Sequence, residues 1–281
     1  MIKERIAFQG EPGAFSEVAA RQLLGNDVET VPCTWFDAVF KALRAGEVTG
    51  AIVPIENTLH GSIHENYDHL QHYELPIVGE TNVRIVHNLI AMPGVHFKQV
   101  KRVYSHPVAL AQCVKFFEAH PEIERVPFYD TAGSVKMLME QKMKDGAAIA
   151  SAMAAPAYGA RILKRSIEDD RANFTRFFLL RPPGAETPTA GLKDWKTSIL
   201  FTTKNTPGAL FRSLSALALR DLSLTKIESR PFRGRPWEYL FYVDFLGHIG
   251  ETRVDNALRH IAEQADLVRV LGCYPAWVSK K

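Results

Sequence analysis

At 281 residues the chain can bury a substantial core, and at roughly 100–200 residues per domain it is expected to hold two or three folding units. Its 34 basic and 31 acidic residues leave a formal charge of +3, which is too mild, and too dispersed along the chain, for a nucleic-acid surface. The scattered cysteines Cys33, Cys113 and Cys273 suggest neither a disulfide framework nor a thiolate metal site, and the charged N-terminus and lack of an apolar run of about 20 residues argue against a secretory signal or a membrane span, so a cytoplasmic protein is expected.

Arg5 to Gln9 reads as a buried strand, and Gly10-Glu11-Pro12-Gly13-Ala14-Phe15-Ser16 as a tight turn opening a helix that ends near Gly25. A strand at Val28 to Pro32 leads to an amphipathic helix whose Phe36, Val39, Phe40 and Leu43 share one face. The strand Gly50 to Ile55 then runs straight into the polar cluster Glu56-Asn57-Thr58-Leu59-His60-Gly61-Ser62, at the C-terminal end where open α/β sheets present their ligand sites. Extended segments over 77–92 pass into a second unit. There Val103-Tyr104 is a strand, Ser105-His106-Pro107 opens a helix to about Glu118, Arg125 to Tyr129 is a strand, and Asp130-Thr131 caps a further helix. Gly146 to Ala150 is a small-residue strand before a helix near 152–158, and the chain returns through 171–180.

Residues 182–191 carry three prolines and two glycines in ten positions and read as a linker. Beyond it a strand (196–203), a helix (208–220), two strands (223–232 and 238–245), a helix (251–265) and a strand (267–272) give the order βαββαβ, a ferredoxin-like domain.

Four strand ends hand over to hydroxyl-bearing turns: Gly10 to Ser16, Glu56 to Ser62, Ser105-His106 and Asp130-Thr131. Helix N-termini with free N–H groups suit small carboxylates, although hydroxyl caps are also ordinary structural devices. In Ala172-Asn173-Phe174-Thr175-Arg176-Phe177-Phe178 a hydroxyl and a guanidinium lie inside an apolar strand-like run. Alternation along a regular strand sends Thr175 and Phe177 to one face and Arg176 to the other. No dinucleotide or phosphate-loop glycine pattern occurs, nor a G-x-S-x-G nucleophile elbow. Of the histidines His60, His64, His69 and His72, His60 and His64 would share a helix face, but His64-Glu65 lacks the second His of H-E-x-x-H, so no metal is expected.

Taken together, these strings resemble the prephenate dehydratase family with a C-terminal ACT regulatory domain. The resemblance rests on Gly10 to Ser16, Pro54-Ile55-Glu56-Asn57-Thr58 with Gly61-Ser62, Ser105-His106-Pro107 with Gln112-Cys113, and Asn173 to Phe177. In the last domain it rests on Pro207-Gly208-Ala209-Leu210 and Glu228-Ser229-Arg230-Pro231. It covers nearly the whole chain, with one departure at Asp130 in the string Asp130-Thr131-Ala132-Gly133-Ser134.

The resemblance implies an α/β catalytic region over residues 1–181, two-lobed like a periplasmic binding protein. Lobe 1 covers about 1–78 plus 165–181 and lobe 2 about 79–164, followed by a linker at 182–195 and an ACT domain at 196–281. It implies decarboxylating dehydration of prephenate to phenylpyruvate, driven by aromatisation and without a cofactor. Thr175, Arg176, Asn57, Ser105 and Gln112 would be catalytic, and Glu56, Ser62, Thr131 and Phe177 substrate-binding. Phenylalanine would bind and inhibit through Gly208, Ala209, Leu210, Glu228, Ser229 and Arg230, in a homodimer or homotetramer paired through the ACT domains. Arogenate dehydratase and a non-catalytic small-molecule receptor are the alternatives.

Overall fold

The computed structural model describes residues 4–185, 194–203, 205–232 and 234–277. The chain forms two compact units: Met1–Gly61 with Thr81–Phe177, and Ser62–Glu80 with Phe178–Lys281. In chain order the elements begin β1 (Arg5–Gln9), α1 (Phe15–Leu24), β2 (Glu29–Cys33), α2 (Phe36–Arg44), β3 (Gly50–Asn57), β4 (Gly61–Ser62), α3 (His64–Tyr73), β5 (Ile77–Arg84) and β6 (Asn88–Ala91). They continue β7 (Arg102–Ser105), α4 (Pro107–Ala111), α5 (Val114–Glu118), β8 (Glu124–Pro127), α6 (Thr131–Glu140), β9 (Gly146–Ala150), α7 (Ala154–Ala157), β10 (Arg161–Lys164) and β11 (Phe174–Leu180). The last stretch is β12 (Trp195–Thr202), α8 (Ala209–Ala218), β13 (Leu224–Pro231), β14 (Tyr239–Leu246), α9 (Thr252–Gln264) and β15 (Val268–Pro275).

One sheet has the order β2-β1-β3-β11-β5 and a second the order β10-β6-β9-β7-β8. This is the two-lobed α/β arrangement of the periplasmic-binding-protein type. In the first sheet β1 is flanked by parallel β2 and β3, and in the second β7 is flanked by parallel β8 and β9. Each middle strand is a point where the strand order reverses, so the loops after β1, β3, β7 and β8 converge where such folds bind ligands. All of β5 pairs in the first sheet, and the second begins only at Asn88.

The helix expected from Ser105 to Glu118 is broken. Cys113 leaves helical geometry (φ −127°, ψ 37°), and the Asp169 carboxylate accepts from Val114 N at 2.7 Å and Lys115 N at 3.0 Å, capping a new helix, α5. Gln112, the C-cap of α4, is buried at this break.

In the C-terminal unit the sheet order β13-β14-β12-β15, with antiparallel pairing of β12 to β14 and β15, is ferredoxin-like. Its helices α8 and α9 cover one face, burying Ile199, Phe201, Val243, Phe245, Val254 and Ile261. The segment 62–80 belongs to this unit. Tyr242 Oη donates to Tyr67 O at 2.8 Å, the two rings meet edge-on at 4.8 Å, and Lys196 Nζ pairs with Glu80 at 2.6 Å. Gly272 permits that approach, because a Cβ there would fall 2.0 Å from Ile77 O. Of the expected linker, residues 186–193 lie outside the described residues. No described helix is long and apolar enough to cross a membrane.

Candidate active site

Asn57 ends β3, and its side chain is oriented by its own turn. Leu59 N and His60 N both donate to Asn57 Oδ1 at 3.0 Å, which leaves Nδ2 to face β11. From there Nδ2 reaches Asn173 Oδ1 at 2.8 Å, Thr175 Oγ1 at 3.0 Å and Phe174 O at 3.1 Å. Thr58 fastens the same junction. Its N–H donates to Phe174 O at 2.9 Å, and its hydroxyl donates to Ala172 O at 2.8 Å while accepting from Phe174 N at 2.9 Å. Thr175 is almost buried, at 8 % exposure. Because its oxygen accepts from Asn57, its own proton stays available for a ligand.

The cluster continues into the second lobe. Asn173 Nδ2 donates to Gln112 Oε1 at 3.0 Å, and His87 Nε2 lies 2.7 Å from the same oxygen. Burial holds the His87 pKa below the ordinary histidine value, against the opposing pull of Gln112 and Glu168. Asn57, Asn173, Gln112 and His87 thus form an unbroken chain of neutral side chains across the two lobes, with Thr175 as its side branch.

The turn after β1 is the other junction between the lobes. Gly13 adopts φ +89°, and a Cβ there would lie 2.5 Å from Ala154 Cα, so only glycine allows the approach. Ser151 Oγ donates to Gly13 O at 2.6 Å, and Gly13 N donates to Glu17 Oε2 at 2.7 Å. Glu11 receives Lys136 Nζ at 3.1 Å and the Tyr129 hydroxyl at 3.2 Å. Burial, then the Glu11 carboxylate, pushes the Tyr129 pKa up to about 12. Asp130 caps α6 by accepting from Gly133 N at 2.6 Å, and burial raises its pKa above the ordinary carboxylate value. His106, the N-cap of α4, is shifted down by burial, against the opposing charge of Asp130.

The family model for prephenate dehydratase matches residues 6–184, from β1 through the end of β11. The chain belongs to the prephenate dehydratase family. It is 43% identical over 289 aligned residues to arogenate dehydratase/prephenate dehydratase 1 of Arabidopsis thaliana, covering 97% of this chain and 72% of that protein. Among solved structures, a prephenate dehydratase from Arthrobacter aurescens in complex with L-Phe superposes with a TM-score of 0.87 at 35% identity, covering 97% of this chain and 90% of the other. A structure titled GqqA, a quorum quenching acylase, matches with a TM-score of 0.90 at 35% identity over 98% of both chains. The chain is therefore an enzyme of the lyase type, and the non-catalytic receptor reading is set aside.

Within this prephenate dehydratase fold, the site residues expected from the sequence divide into those that meet and those that do not. Asn57, Thr175 and Gln112 meet through Asn173. Ser105 is fully buried and donates to Ile149 O at 2.7 Å, a bond within the second sheet. Phe177, at 2 % exposure, is a core side chain on the same face of β11 as Thr175. Arg176 falls on the face of β11 opposite Thr175, because the strand is extended through 174–180 and its side chains alternate. Glu56 and Asn57 alternate in the same way, with Glu56 half-buried, and Thr131 is the half-buried first residue of α6. Ser62 belongs to the C-terminal unit, where its hydroxyl donates to Glu228 and accepts from Lys226 Nζ at 2.9 Å.

The expected effector residues divide too. Gly208, Ala209 and Leu210 line a pocket at the N-terminus of α8 together with Asn205, Trp237 and Tyr239. Gly208 is its N-cap, at φ +76°, a conformation that favours glycine. Glu228 and Arg230 are engaged elsewhere, Glu228 by Ser62 and by His64 Nε2 at 3.2 Å, Arg230 by Asp68 at 3.2 Å. Ser229 is exposed between them, on the other face of β13. Sequence reasoning missed Trp237, Tyr239, Asn173 and the Glu11–Lys136–Tyr129 cluster. Asn173 was legible in its motif, whereas Lys136 lies on an ordinary polar helix position and gave no signal.

Proposed function

We propose that this enzyme converts prephenate to phenylpyruvate in phenylalanine biosynthesis. The ring carboxylate leaves as carbon dioxide, its bonding electrons complete the aromatic ring, and the ring hydroxyl departs as water after taking up a proton. The observation that carries this reading is the Asn57–Thr175 pair, which presents a fixed hydroxyl with its proton uncommitted. Such a donor stabilises the departing oxygen as negative charge develops on it, and the neutral amides around it hold that geometry without competing for the charge. Asn57 orients Thr175, and Gln112 with Asn173 supports the pair from the second lobe. Lys136, held by Glu11, is a cation near the lobe junction for the substrate dianion. The driving force is aromatisation, so the protein's task is alignment and proton donation.

The test is an assay of phenylpyruvate formation from prephenate. Thr175→Ala should lower kcat by on the order of 100–1000-fold, the range for losing one positioned donor. Near-normal turnover by that variant would remove Thr175 from the role. Because the plant relatives carry arogenate in their names, turnover on arogenate, which bears an amine in place of the keto oxygen, is the companion measurement.

For the C-terminal unit, we infer an ACT regulatory domain that binds phenylalanine in the pocket at the start of α8. Free N–H groups at the helix N-terminus suit the carboxylate, and Leu210, Trp237 and Tyr239 suit the ring. Phenylalanine is expected to raise thermal stability and lower activity; if saturating phenylalanine moves neither, this role fails. A cytoplasmic homodimer or homotetramer assembled through these domains completes the reading.

A further inference from the structure

We propose that His87, as its Nε2–H tautomer, is a positioning residue that holds the far end of the amide chain leading to Thr175, keeping Gln112 in the orientation that the direction set at Asn57 requires. Asn57 Oδ1 is occupied by Leu59 N and His60 N, so Nδ2 must face Asn173 and Thr175. Asn173 must then present Oδ1 to Asn57, which sends its Nδ2 toward Gln112. Gln112 must answer with Oε1, and that oxygen also faces His87 Nε2 at 2.7 Å. Only a proton on Nε2 satisfies this contact. With the proton on Nδ1 instead, two lone pairs would face each other. Rotating the Gln112 amide to relieve them would set its NH₂ against that of Asn173.

The surroundings of His87 hold it in this state. It is 2 % exposed, its backbone N–H donates to Glu168 Oε2 at 2.9 Å, its backbone carbonyl accepts from Ile167 N at 2.9 Å, and the Phe15 ring meets its ring edge-on at 5.7 Å. Nδ1 is buried and has no hydrogen-bond partner among the described residues. A bare Nδ1 lone pair is tolerable there, whereas the N–H of a protonated ring would be a buried, unsatisfied donor. The lowered His87 pKa agrees with that geometry. His87 touches neither Thr175 nor the reacting atoms; it acts through Gln112 and Asn173.

This inference rests on the prephenate reading, so wild-type turnover is measured first. His87→Leu removes the donor, His87→Gln offers an amide N–H near the Nε2 position, and His87→Asn offers one near Nδ1. His87→Leu and His87→Asn are expected to lower kcat by on the order of 10–100-fold with a smaller change in KM, and His87→Gln to recover most of the loss. A purely structural role would lower Tm without ranking Gln above Asn. Nitrogen-15 NMR of the imidazole should show a protonated Nε2 and a bare Nδ1 at neutral pH. The proposal is overturned by a proton on Nδ1, or by His87→Leu turnover within about twofold of wild type. If His87→Leu does not fold, the Gln/Asn ranking and the tautomer decide. If the wild type does not turn over prephenate, the substrate reading fails and the tautomer alone decides whether His87 holds the far end of the chain.

Discussion

Two of the hydrogen-bonded clusters among the described residues are built from opposite chemistry. In the catalytic unit, Asn57, Asn173, Gln112, His87 and Thr175 are joined by neutral groups with donors and acceptors in fixed sequence. In the C-terminal unit, Ser62, His64 and Asp68 meet Lys226, Glu228 and Arg230 through charged groups. A neutral chain transmits direction: one reversed amide is felt at the next link, and it has no net charge for counterions to screen. A charged cluster transmits attraction that depends little on orientation and weakens with salt. Positioning a proton donor calls for the first kind. Holding a segment to a neighbouring sheet calls only for the second.

The largest expected break in that comparison is Thr175→Ala, described above. Next is Asn57→Ala, which removes the group that orients Thr175 and should cost on the order of 100-fold in kcat while leaving phenylalanine binding intact. Loss of phenylalanine binding with normal turnover would invert the assignment. In the charged cluster, Glu228→Gln should lower kcat by less than about threefold yet weaken phenylalanine inhibition, by loosening the hold on Ser62 and His64. Unchanged inhibition would make the cluster a structural fastening only.

Gly208→Ala forces an ordinary residue into a left-handed conformation, with an expected stability loss of about 1–2 kcal/mol and a weaker phenylalanine response, read by thermal melting with and without the effector. The smallest effect is a pH dependence at Asp130. Its folded-state pKa is raised by burial, so the folded protein favours the protonated form. The stability from this group is full below the unfolded value of about 3.9 and is lost as pH rises through the folded value. Asp130→Asn keeps a cap for α6 but removes the buried charge. It should therefore raise Tm slightly at neutral pH and lose that advantage in acid, and a variant less stable at neutral pH would contradict the account.

Much of this was legible in the residues. The alternation of Phe174 to Phe177 in the sequence sets Thr175 and Arg176 on opposite faces, and β11 keeps that alternation. The βαββαβ order of the last domain followed from hydrophobic periodicity and turn residues, both of which act within a few positions. Gln112, by contrast, reads as a solvent-facing helix residue until Asp169, distant in sequence, caps α5 and breaks the helix beneath it. Ser62 sits in a motif shared with Asn57, yet packing of α3 with the C-terminal sheet gives it to Glu228.

The sequence alone determined most of the strands and helices and which polar residues stand at strand ends, because those depend on local backbone preference and periodic burial; the break between α4 and α5 required the distant Asp169. Tertiary structure alone decided which of those polar residues touch, and in which direction each amide points. Asn57 and Asn173 lie far apart in the chain and meet because β3 and β11 are neighbours in one sheet, and Asn173 meets Gln112 only through the packing of the two lobes.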